Sequence, residues 1–291
     1  MQPKVDQIAI LGATGFVGGA VQRYLVSRDS GFACVEVRSW SEGWLRSPKY
    51  VKESPRQMFE QVEGRHAVIL LAAGVDGRPM SAEDVWFNEH GRPMLAGLCD
   101  LAGALSVTMV GSCFEFGHRS SATLIQSDAA ENPGDTYSAS LLAGARQFLA
   151  DGGSVPRKYL RLFQVFGKQE RDSRLFPSLR SGLCRRVEVE LKTPNATRDF
   201  CFIDDVAVKI VDIALSEKHF GKINVCSGVG MSVRHFAELC AEALAVPDEE
   251  RSKIIKLGSE IHQYPYLVGE PFDDHCQTSP VDLHTLSTAL A

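Results

Sequence analysis

Apolar runs and helical stripes alternate along the first half of the chain. Ile8-Ala9-Ile10-Leu11 is a short apolar run that breaks into glycines at Gly12, Gly15 and Gly18, then resumes as a helix. That helix is expected over about Val17–Ser27, with Val17, Val21, Tyr24 and Leu25 on one face and Asp29-Ser30-Gly31 ending it. Cys34–Val37 reads as a second strand, and Ala67–Leu71, continuing through Ala72 and Ala73 to Gly74, as a strand buried on both faces. A helical segment from Phe87-Asn88 to Gly103 leads to a further strand at Val107–Ser112. The alternation predicts an α/β fold, a Rossmann-type doubly wound parallel sheet with its ligand crevice at the strand C-termini.

The second half reads differently. A charged loop, Lys168 to Pro177, precedes a helical stretch at Ser178–Cys184, and Val187–Leu191 alternates like a strand. Asp204-Asp205 is expected to cap a helix through Leu215; Ile223–Gly228 returns as a strand, and Ser232 begins an amphipathic helix to Leu244. Glu260–Ala291, with Pro265, Pro271 and Pro280, reads as a lid segment followed by a terminal helix from Val281. Residues 1–167 with about 200–225 are thus expected to form the nucleotide-binding domain, and about 168–199 with 226–291 a smaller C-terminal substrate-binding domain.

Composition narrows the function classes. The 291 residues are 44% hydrophobic and 23% charged with a net charge of −5, so the chain has no basic footprint for nucleic acid. No apolar stretch is long enough to span a bilayer. Eight cysteines are scattered singly without a C-x-x-C pair, which predicts free thiols in a reducing cytoplasm. His275 beside Asp273-Asp274 is the one cluster that invites a metal, and an exposed group without one is the expectation.

The glycine spacing carries the first chemistry. Gly12 permits a sharp turn, Gly15 close approach of a ligand and Gly18 close packing of helix on strand, which directs backbone N–H groups at a diphosphate. The residue just past the second strand faces the adenosine ribose; here it is Arg38, followed by Ser39, which favours NADP over NAD, with Glu36 as the alternative ribose contact.

The Gly12-x-x-Gly15-x-x-Gly18 turn, Leu70–Ala73 and Gly111-Ser112-Cys113-Phe114-Glu115-Phe116-Gly117 resemble the extended short-chain dehydrogenase/reductases, the NAD-dependent epimerase/dehydratase family. So do Tyr137–Gly144, Leu160–Gly167 and Arg198–Val206, in the family's order over roughly residues 5 to 245. The resemblance implies cofactor contacts from Gly12, Thr14, Gly15, Phe16, Val17, Gly18, Arg38, Ser39, Leu71, Ala72, Ala73, Asn88 and Val165. It implies substrate contacts from Cys113, Phe114, Gln164, Arg174 and Arg198, on a nucleotide-diphosphate sugar. Tyr137 would be the general acid/base and Ser112 would hydrogen-bond the same oxygen.

Two departures matter. The family's lysine, one helical turn after the tyrosine, is Leu141 here. Three readings stay open: a reductase that uses Tyr137 only as proton donor, a cation from elsewhere with His118, Arg119 or Lys168 as candidates, or a relative that binds nucleotide without turnover. Cys113 and Phe114 stand where the family's dehydratases place an acid, which disfavours elimination of water, and Glu115 is either a loop carboxylate or a site residue. The expectation is an NADPH-dependent nucleotide-sugar 4-ketoreductase, with an epimerase or a non-catalytic binding protein as alternatives; the family also implies a homodimer.

Overall fold

The computed structural model describes residues 5–27, 33–37, 65–71, 80–101, 103–119, 122–151, 153–262 and 264–291. The first apolar run forms β1 (Gln7–Leu11), and the chain turns at Gly12 into α1 (Phe16–Ser27). β2 (Ala33–Val37), β3 (His66–Leu70), β4 (Ser106–Ser112), β5 (Arg157–Leu162) and, further on, a strand at Gly221–Val225 complete one sheet with β1. Its order is Gly221–Val225, β5, β4, β3, β1, β2, and every pairing is parallel. Strand order reverses beside β1, where a crevice must open above the strand C-termini.

Strand residues alternate between two apolar layers. Ile8, Ile10, Ile69 and Leu160 face one side, against Val21 and Leu25 of α1; Ala9, Leu11, Val68, Met109 and Tyr159 face the other. The second side is covered by α2 (Ala82–Trp86), a π-helical turn at Phe87–Gly91, α3 (Arg92–Leu101) and α4 (Thr136–Ala150), which contribute Phe87, Leu95, Cys99 and Phe148. Helices on both faces make the sheet doubly wound, as the sequence predicts. The helical segment expected from Asn88 begins earlier, because Ser81 and Asp84 form a reciprocal capping box ahead of α2.

Beyond β5 lie β6 (Gln164–Phe166), α5 (Leu175–Arg185), β7 (Val189–Leu191), β8 (Thr197–Arg198), β9 (Phe200–Phe202) and α6 (Ile203–Leu215). The sheet's edge strand, β10 (Gly221–Val225), leads to β11 (Met231–Ser232), α7 (Val233–Ala243), α8 (Asp248–Ile254), β12 (Ile255–Leu257), β13 (Tyr266–Leu267) and α9 (Leu283–Leu290). Aromatic contacts fasten this half together: Phe166 packs on Phe176 of α5 and Phe202, and Phe200 stacks on Phe236 of α7 with centroids 3.9 Å apart.

The expected Asp204-Asp205 cap is corrected. The chain passes straight from β9 into α6 through an extended Phe202 at the N-cap position, so both aspartates lie inside the first turn, where their charge meets the helix dipole. Ser232 begins α7 as expected, accepting from the backbone N–H of His235, while the terminal helix expected from Val281 starts at Leu283, where Asp282 caps it by accepting from the Thr285 N–H. Buried Lys158 donates to the carbonyls of Ile213, Ala214 and Ser216, which closes the C-terminus of α6 against β5.

Candidate active site

The C-terminal ends of β1, β3, β4 and β5 open into a cleft of about 950 Å³. Its floor begins at the glycine turn. Gly12 adopts φ +94, a conformation that L side chains avoid, and its carbonyl accepts from the N–H of Gly15 at 3.0 Å. A Cβ on Gly18 would overlap the Gly12 carbonyl and stand 2.7 Å from Leu71 Cδ1, so α1 can approach β1 this closely only with glycine there. Thr14, Gly15, Phe16, Val17, Gly18 and Leu71 line the cleft above this turn. No acidic residue occupies the first turn of α1, so its positive end is turned to the cleft without a carboxylate on the helix itself.

Ser112 and Tyr137 reach the same cleft from the neighbouring strand end and helix. Ser112 ends β4 and caps a short 3-10 turn, Cys113–Phe116, while the Glu115 carboxylate accepts from the Ser112 N–H at 2.8 Å. Tyr137 sits in the first turn of α4, which Asp135 caps by accepting from the Ser138 N–H at 2.8 Å. Burial pushes the Tyr137 phenol up to about 12, with Arg92 opposing. The Tyr137 phenol therefore stays protonated at neutral pH.

The cleft also receives Gln164 and Val165 beyond β5, Phe114, and Arg174, while its far wall is Glu170, Arg171, Thr193, Glu260, Ile261, His262 and Tyr264. Burial lifts the Glu170 carboxyl to about 7 although Arg174 Nε lies 3.5 Å away. His262 is held down at about 4 by burial and then by the charge of Arg198. Tyr264 donates to Asp135 at 3.1 Å and packs on Phe114, centroids 5.6 Å apart, which joins the C-terminal segment to the tyrosine helix.

Some expected site residues lie elsewhere. Cys113 turns into the core, where burial pushes its thiol up to about 12. Arg198 is buried behind His262 and donates to the Thr197 carbonyl at 2.8 Å. Asn88 is buried behind the tyrosine helix, with Nδ2 donating to Ser140 Oγ at 3.2 Å. Arg38, Ser39, Ala72 and Ala73 lie outside the described residues. Leu141 is completely buried, and His118, Arg119 and Lys168 are absent from the cleft lining.

Sequence reasoning left two carboxylates without a role. Glu115 is completely buried, accepts from Tyr159 Oη at 2.7 Å and Arg161 Nε at 3.0 Å besides Ser112, and thus fixes the loop that carries Ser112. Gly111 was the available signal, because a side chain there would overlap Tyr159 and Glu115. Asp199 accepts from the N–H groups of Ser227 and Gly228 at 2.9 Å and of Gly269 at 3.3 Å. The His/Asp grouping near the C-terminus is also redrawn. His219, not His275, meets Asp273 (2.8 Å), and its other ring nitrogen is bonded to Ser216 Oγ, so it ties loops together.

Parallel sheet, glycine turn and cleft at the strand switch define a Rossmann-type nucleotide-binding protein. Residues 8–226 match the NAD dependent epimerase/dehydratase family, and the chain belongs to that family. Solved structures similar to it include MoeE5 in complex with UDP-glucose and NAD (21% identity, TM-score 0.78, 98% of this chain and 97% of that one). RMD from Pseudomonas aeruginosa complexed with NADPH aligns at 21% identity and TM-score 0.81, over 98% of this chain and 97% of that one. A UDP-N-acetylglucosamine 4-epimerase from Methanobrevibacter ruminantium M1, in complex with UDP-N-acetylmuramic acid, aligns at 16% identity and TM-score 0.77, over 99% of this chain and 97% of that one. No curated protein sequence matches significantly.

Proposed function

We propose that this chain is an NADPH-dependent ketoreductase acting on a nucleotide-linked 4-keto-6-deoxy sugar. The observation that carries the reading is geometric: Tyr137 and Ser112 face the cleft shared with the glycine turn, where burial holds the phenol in its protonated form. A ketone reduction asks only for a donor at that position. Epimerisation also asks the same group to take a proton, which a phenol so far above neutrality does poorly.

The residues present fit a dinucleotide. Gly18 keeps open a cradle that a side chain would fill, and Thr14 to Gly18 present a helix N-terminus to a diphosphate. Leu71 and Val165 would flank the nicotinamide half, and Arg38 in the sequence favours the 2′-phosphate of NADP. The reduced nicotinamide would supply the hydride. Tyr137 gives its proton to the carbonyl oxygen, Ser112 steadies that oxygen, and Gln164 and Arg174 hold the sugar nucleotide. Similar structures carrying NADPH in one case and UDP-glucose with NAD in another support a nicotinamide dinucleotide and a nucleotide sugar as the two ligands.

Isothermal titration with NADPH and NADH, followed by loss of reduced-nicotinamide absorbance on adding a nucleotide 4-keto-6-deoxy sugar, tests the reading. NADPH binding with oxidation is expected, and Tyr137→Phe should cut turnover by about 10²- to 10⁴-fold with binding intact. Interconversion of sugar epimers without net oxidation would establish the epimerase instead. Binding without any turnover would leave a nucleotide-binding protein.

A further inference from the structure

A phenol that donates its proton becomes a phenolate, and a buried phenolate needs a positive charge close by. The residue one turn on, Leu141, cannot supply one. Arg92 comes to the same place from the opposite helix. Asn88 Nδ2 donates to Ser140 Oγ, and the Ser140 hydroxyl donates to the Tyr137 carbonyl at 2.8 Å, so the π-turn is locked onto the first turns of α4. Gly144, where a side chain would overlap the Asn88 carbonyl, allows this close approach. Arg92 follows Asn88 by four residues, on the same helical face.

The Arg92 side chain is completely buried. Nη1 donates to the Val110 carbonyl at 2.6 Å, two residues before Ser112 on β4, whereas Nε and Nη2 have no hydrogen-bond partner among the described residues. Glu115 acts on it only through its charge, its oxygens being hydrogen-bonded to Ser112, Tyr159 and Arg161 instead. Glu131 is shared by Arg161, Lys222 and Arg146. A buried guanidinium without a carboxylate hydrogen-bonded to it is costly, and here its charge acts on Tyr159, then Tyr137, then Glu115. Tyr159, on which that charge acts first, has its hydroxyl 3.5 Å from the Leu141 carbonyl, which brings the guanidinium to the stretch of α4 that carries Tyr137 and Leu141.

We propose that Arg92 is the positioning residue that replaces the missing lysine: from behind α4 and β4 it stabilises the Tyr137 phenolate left when the proton passes to the substrate oxygen. The inference rests on Tyr137 as the acid of the proposed reductase. Hydride goes to the carbonyl carbon, the phenolic proton to the oxygen, and the phenolate recovers a proton from solvent. The groups that face Tyr137 are Arg92 and Arg174, which favour the phenolate, and Glu115 and Cys113, which oppose it. Arg174 is 44% exposed and paired with Glu170, so solvent screens it and Arg92 dominates.

The test is ionisation of Tyr137 itself, followed by NMR on protein labelled at tyrosine ¹³Cζ, with the signal assigned by its loss in Tyr137→Phe. In Arg92→Gln, which keeps a donor for Val110, the onset of ionisation should move up by about one pH unit or more, and Arg92→Lys should restore most of it. Arg92→Met serves as a second neutral variant if the glutamine protein does not fold. Identical titration of Tyr137 in the wild type and in a folded neutral variant would overturn the proposal. The readout needs neither cofactor nor substrate. A shifted titration in a protein that oxidises no NADPH would sink the reductase reading alone, and an active enzyme with an unshifted titration would sink Arg92 alone.

Discussion

Glu170 stands in the cleft wall with one carboxylate oxygen 3.5 Å from Arg174 Nε and the other buried without a hydrogen-bond partner among the described residues. Its carboxyl is raised from the ordinary value to about 7, desolvation outweighing the arginine. The folded state therefore holds a proton that the unfolded chain releases near pH 4.5. Stability from this group is fully present below that value and is lost as pH rises through about 7. Glu170→Gln should thus gain thermal stability over the wild type by a few degrees at about pH 8 and by almost nothing at about pH 4.5, as a pair of thermal melts would show. Neither Glu170 nor Glu115 announces its environment in the chain. A glutamate in a charged loop and one after a strand look alike until burial and partners are known, and here one is half-neutral at physiological pH while the other locks the Ser112 loop.

At the scale of the element, α1 is placed by a contact distance. Gly18→Ala would drive a methyl into the Gly12 carbonyl and Leu71, so α1 must back away from the turn. A loss of about 1–3 kcal/mol and of detectable NADPH binding by calorimetry is expected. Gly97, in α3, is the control: among the described residues a Cβ there meets only Asp151 Oδ2 at 3.8 Å, and Gly97→Ala should stabilise by about 0.5–1 kcal/mol. The glycine turn was legible because its requirement is local. Helix ends were less so. α5 begins at Leu175 with Pro177 in its first turn, where a proline costs nothing, and the capping box at Ser81 starts α2 before its apolar stripe becomes visible.

Across the whole molecule, Asp199 joins segments far apart in the chain. Its carboxylate gathers the N–H groups of Ser227, Gly228 and Gly269 and the Ser227 hydroxyl, so one side chain at the β8–β9 junction ties the C-terminal segment that walls the cleft to the loop after β10. Asp199→Ala leaves those buried donors unpaired. It should cost about 3–5 kcal/mol, a fall of roughly 6–15 °C in Tm for a chain of this size, measured by calorimetry without ligand. The sequence by itself determined the sheet-forming runs, the glycine turn, and the pairing of Ser112 with Tyr137 through its resemblance to a family. Those features depend on neighbours a few residues apart or on motifs in fixed order. Only the tertiary structure decided which charges surround Tyr137: Arg92 lies 45 positions and Glu115 22 positions before it, and Arg174 lies 37 after it. Electrostatic contact between buried groups depends on distances in space and on the water they exclude, and no spacing along the chain encodes either.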